Sequence, residues 1–78
     1  MMNAKEFYAL TAGRRIAGTY HGHAFSGVIT DIRTHTCDAK QVVMCVDLDS
    51  EIVVFGDPRT DLCMQVGPNS VDHRFAAV

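Results

Sequence analysis

Between Gln41 and Asp49 the residues Val42, Met44, Val46 and Leu48 fall at every second position. A period of two is the repeat of a strand with one buried face, and it does not fit a helix, whose apolar residues return every three or four positions. The alternation recurs at Leu62, Met64 and Val66. The chain therefore reads as mainly β where its pattern is strongest. Its length of 78 residues sets the scale. A chain this small buries only about 60% of the surface it exposes when unfolded, enough for one modest core. Residues 1–78 read as a single domain, and a TIM barrel, a full Rossmann unit or a two-domain enzyme is excluded. Hydrophobic residues at 47% against charged residues at 21% place the chain among globular proteins.

The remaining segments follow from turn chemistry. Residues 3–12 predict a short helix, with Asn3 as N-cap, Glu6 three residues later, Phe7 and Leu10 on one face, and Gly13 as its end. Five strands are expected within 14–66: Arg14 to Tyr20, Ala24 to Thr36, Gln41 to Asp49, Glu51 to Phe55, and Leu62 to Val66. His21-Gly22 reads as a tight turn, Asp49-Ser50 as a hairpin turn, and Gly56-Asp57-Pro58 as a break. Gly27 inside the second strand predicts a bulge or a sharp bend. Residues 67–78 read as a tail with Phe75 and Val78 as anchors.

A short helix followed by five short antiparallel strands, the second strongly bent, leads to a small β-barrel of the SH3 or Sm kind, since closure removes exposed sheet edges. The segment Phe25-Ser26-Gly27-Val28-Ile29-Thr30-Asp31 resembles the first Sm motif, in which an aromatic, a glycine and an aliphatic alternate before an aspartate. The helix-then-barrel order and the aliphatic stretch ending in Phe55-Gly56 are also similar to that family. The resemblance implies the fold over residues 3–66. It does not carry RNA binding with it. No asparagine stands in Thr34 to Lys40, and Phe55-Gly56 stands where Arg-Gly is usual, so the residues that hold a base in the family are missing here.

A net charge of −2 hides an asymmetry: residues 1–42 carry +2 and residues 43–78 carry −4. Binding to a phosphate backbone relies on clustered Lys and Arg, so generic duplex binding is not expected. A local patch of Arg14, Arg15 and Arg33, with Tyr20 as a stacking surface, is the nucleic-acid candidate.

Among groups that carry chemistry, His21-x-His23 and His35-x-Cys37 each place two metal-type ligands on one side of a strand. Their spacing matches no zinc finger or ribbon, and no metal is expected. Cys45 and Cys63 read as small buried hydrophobes, and an odd total of three cysteines argues against a disulfide framework and for a reducing, cytoplasmic setting. Ser70, Asp72 and His73 name a hydrolase triad but crowd into one short segment, where triad geometry does not arise. Asp47, Asp49 and Glu51 lack the glycine and glutamate spacing of a calcium loop. No glycine-rich loop leads into a helix, so no phosphate cradle or cofactor is expected. Nothing here composes an enzyme.

The strands do carry an excess of apolar residues. Val43 and Cys45 oppose Val42, Met44 and Val46, and Val53 and Phe55 oppose Ile52 and Val54, so both faces are apolar where a solvated sheet alternates. The helix is expected to cover part of the second face. Val43, Cys45, Val53 and Phe55 are then the partner-interface candidates, for another copy of the chain or a target protein. The expected function is a non-enzymatic binding module that oligomerises and occupies a macromolecular partner. A compact chain without catalytic groups also resembles accessory proteins of phages and plasmids, including small inhibitors of host machinery. The alternatives are an Sm- or SH3-like nucleic-acid-binding domain and an oligomer that binds a small ligand between protomers. No segment is apolar enough over a sufficient length to span a membrane.

Overall fold

A computed structural model describes residues 4–37 and 40–68, and the backbone of 73–77. Its elements in chain order are α1 (Ala4–Tyr8), β1 (Arg15–Tyr20), β2 (His23–Thr34), β3 (Val42–Val54), β4 (Asp57–Val66) and β5 (His73–Ala77). The first four strands form an open antiparallel meander in the order β4-β3-β2-β1, and β5 adds to the free side of β1. The segment 14–66 thus holds four strands and not the five expected, and the sheet is not a closed barrel. Among the described residues no helix is long and apolar enough to cross a membrane.

The expected turn at Asp49-Ser50 does not form. β3 continues through it, because Leu48, Ile52 and Val54 keep the even-numbered phase of Val42, Met44 and Val46, so no change of face is demanded. The ladder registers the insertion instead as an irregularity between Asp47 and Ile52. The chain reverses at Phe55-Gly56, with φ of 52° and 80°. The β1–β2 reversal at His21-Gly22 repeats this pattern, with φ of 48° and 81°. Positive φ at both central residues is the signature of the tight hairpin turn whose twist matches the strands. Pro58, expected to break the chain, lies inside β4, where an edge strand tolerates it. The expected tail contains β5, whose backbone pairs from Ile16↔Ala77 to Tyr20↔His73; the side chains of Phe75 and Val78 lie outside the described residues.

One face of the sheet holds the core: Ile16, Phe25, Ile29, Val42, Met44, Val46, Leu62, Met64 and Val66 are buried together. Phe7 and Leu10 join that same cluster. The helix therefore caps the core face, not the second face of the sheet as expected. It is shorter than 3–12, and Asn3 lies outside the described residues. The peptide N–H groups of Ala9 and Leu10 donate to the carbonyls of Glu6 and Phe7, tightening the last turn, and Tyr8 Oη donates to the Lys40 carbonyl at 2.6 Å.

The bend in β2 has two parts. The bulge sits between Ile29 and Asp31, not at Gly27, and the Thr30 hydroxyl donates to the Cys45 carbonyl at 3.3 Å. Gly27 does a different job. A Cβ built there would lie 2.2 Å from the Asp47 carbonyl oxygen and 2.9 Å from Val46 Cγ1. Gly27↔Leu48 is also the last β2–β3 pair; beyond it β3 pairs only with β4. Only a residue without a side chain lets the strands pass so closely at the point where the β3–β4 hairpin leaves the sheet. Gly27→Ala should lower the unfolding free energy by about 2–3 kcal/mol through overpacking against backbone. Urea denaturation measures this, and a loss below about 0.5 kcal/mol would show that the strands can separate freely there.

Candidate functional site

The hairpin that departs at Gly27 carries its tip to the β1–β2 turn. Phe55 and His21 meet there with ring centroids 5.0 Å apart, and His21 stands edge-on to Tyr20 at 4.4 Å. His21 and Phe55 are also the two non-glycine residues with positive φ among the described residues. For residues with bulky side chains that conformation is unfavourable by roughly 1–2 kcal/mol. The two turns therefore place their strained residues against each other. Tyr20 is half-buried and packs on the core, whereas Phe55 is 83% exposed. Tyr20, Val54, Phe55, Asp57 and Arg59 line a cavity of about 140 Å³. Val53, 52% exposed, and its cross-strand partner Pro58 extend the apolar surface.

The four interface candidates separate. Val53 and Phe55 are open at the tip. Val43 and Cys45 are half-buried in the middle of the outer face, with Val43 between Arg33 and Gln65 and Cys45 between Asp31 and Cys63. Cys45 and Cys63 are bridged by a disulfide, which overturns their reading as separate hydrophobes. The odd cysteine is Cys37, exposed in the segment after β2.

The nucleic-acid candidates are not brought together. Arg15 and Tyr20 occupy opposite ends of β1, roughly 16 Å apart at the strand rise, and Tyr20 faces the core while Arg15 faces out. Arg15 pairs with Asp49, whose carboxylate also accepts from Ser26 Oγ at 2.9 Å. Arg33 lies near the far end of β2 and pairs with Asp31 at 3.3 Å. Both pairs are substantially exposed, so each contributes little stability, but each sets a carboxylate beside the guanidinium that a phosphate would need. Arg14 is exposed beside β1.

The two metal-type pairs stand at opposite ends of β2: His21 and His23 at its start, His35 and Cys37 beyond Thr34. His21 is engaged with the aromatic rings, and His35 Nδ1 accepts from the Cys37 peptide N–H at 3.2 Å. Among the described residues no three His, Cys, Asp or Glu side chains form a group that would hold a metal ion.

In the sequence Tyr20 belongs to a stacking surface, His21 to a turn and Phe55 to an apolar strand face, and nothing there joins the three. The repeated pattern of a bulky ring before glycine, His21-Gly22 and Phe55-Gly56, was the available signal. No family model matches this chain, and no curated protein or solved structure matches it either.

Phe55→Asn replaces the strained ring by the residue that such a turn favours before glycine. It should raise the melting free energy of the isolated chain by about 0.5–1 kcal/mol, net of the lost contact with His21. A thermal melt that shows destabilisation would mean the ring is held for packing.

Proposed function

We propose that this chain is a non-enzymatic binding module that self-associates and acts by occupying a protein partner, with the aromatic tip around Phe55 as its contact. The observation that carries the reading is Phe55 itself, 83% exposed at φ of 52°. The free chain bears an unfavourable backbone and a hydrated ring at one position, with the ring contact to His21 in return among the described residues. A residue that breaks local rules without an internal gain marks a place where function sets the sequence. Large aromatics beside a small pocket are also the usual anchors of protein interfaces. The pocket beside the ring is an open depression of about 140 Å³, well under the roughly 300–1,000 Å³ of small-molecule sites, which favours a macromolecular contact over a free ligand. The nucleic-acid reading has less support, because Arg15 and Arg33 already face carboxylates.

Light scattering at micromolar concentration should return at least twice the chain mass of 8.6 kDa. Phe55→Asp should lower that mass, because a carboxylate desolvated at an interface is costly. Native purification from the source cell should retain a protein that Phe55→Asp, shown folded by its melt, releases. A wild-type mass of one chain at high concentration would remove self-association, and a partner held equally by both forms would remove the tip as the contact.

A further inference from the structure

We propose that the Cys45–Cys63 bridge is a reversible two-electron redox site on the outer face of the sheet, with a carboxylate surround that selects among small thiols by charge. The two cysteines are direct cross-strand partners in the β3–β4 ladder. Cys63 is exposed and Cys45 half-buried, so an incoming thiolate reaches the Cys63 sulfur first. The adjoining ladder pairs, Met44↔Met64 and Val46↔Leu62, turn buried side chains into the core on the opposite face. They hold β3 against β4 whether or not the sulfurs are joined. Reduction therefore leaves two thiols still side by side, ready to be reoxidised.

The exchange runs in two steps. A thiolate, RS⁻, attacks Cys63 Sγ; the S–S bond breaks, and its electron pair leaves on Cys45 Sγ, which takes a proton from water. A second thiolate then attacks the sulfur of the R group, releasing RSSR and leaving the electron pair on Cys63 Sγ, which is protonated in turn. Overall two thiols RSH are oxidised to RSSR while the protein disulfide becomes two thiols, with two electrons and two protons transferred.

Charge enters through register. Asp31 stands opposite Cys45 on β2, and Asp47 and Asp61 stand opposite each other one same-face pair further along β3 and β4. Arg33 pairs with Asp31. Asp47 and Asp61 have no ion-pair partner among the described residues. They sit about 7 Å along the strands from the sulfurs. At that distance in water each pair of like charges lowers an encounter rate about threefold in low salt, and the effect fades as salt screens it.

The test uses the full chain carrying Cys37→Ser, so that only the bridge is read. Reduction is followed by alkylation and mass, with cysteamine, 2-mercaptoethanol and 3-mercaptopropionate, whose thiolate forms carry net charges of 0, −1 and −2. Each rate per thiolate is divided by the same thiol's rate on an uncharged small disulfide. The expected order is cysteamine fastest and mercaptopropionate slowest, with roughly a ninefold step per unit of thiol charge at low salt, about threefold from each carboxylate, that collapses at ~1 M salt. The joint variant Asp47→Asn, Asp61→Asn, which keeps side-chain shape, should also collapse it. Oxidised glutathione should restore the bridge. Two thiols that stay alkylatable after that treatment would overturn the redox site. Equal rates at low salt, or a spread that survives ~1 M salt, would overturn the charge selection.

Discussion

The absence of a side chain at Gly27 is the constraint on which the arrangement of this molecule depends. The missing Cβ lets β2 and β3 pass with the Asp47 carbonyl where a methyl group would otherwise sit. The close passage falls at the last β2–β3 pair, so the remainder of β3 is paired only with β4, with Val54 buried and Ile52 packed against the core. The turn of this hairpin comes to rest against the turn between β1 and β2. The aromatic tip follows from this geometry.

The sequence pattern carried the inner face well. Val42, Met44, Val46, Leu62, Met64 and Val66 are buried as the period of two requires, and Phe7, Leu10 and Phe25 complete the same core. What it carried poorly was anything decided by register. Asp49-Ser50 looks like a turn because polar residues interrupt apolar ones, but the phase on either side is unchanged and the strand runs on. Cys45 and Cys63 look unrelated because eighteen positions separate them, and only the hairpin ladder sets them opposite each other. Arg15 and Arg33 look available because their carboxylate partners are invisible without neighbours: Asp49 reaches Arg15 across the sheet, and Asp31 reaches Arg33 along one face of β2.

The candidate site was legible in its parts and illegible as a whole. Phe55 stood out as an apolar residue on the wrong face, and His21-Gly22 as a turn. Their meeting depends on the β2–β3 register, which continued past Gly27↔Leu48 sets positions 54 and 55 beside 21 and 20, and no short motif encodes that register. The two faces also divide the chemistry. The core face is apolar, while the outer face carries the sulfurs, the carboxylates beside them and, among the described residues, both ion pairs.

The strand order has a kinetic consequence. Within β4-β3-β2-β1 every strand pairs with its neighbour in sequence, so each hairpin closes a short loop at small entropic cost. β5 is the exception, since it joins Ala77 to Ile16 across nearly the whole described chain. Local pairings form ahead of distant ones, so the meander is in place while the second edge of β1 still waits for its strand. During that interval the backbone of Arg15–Tyr20 is an open template for any extended segment that reaches it first, including the same segment of a neighbouring molecule. The hazard of mispairing at β1 thus belongs to a brief stage of folding, before β5 covers that edge.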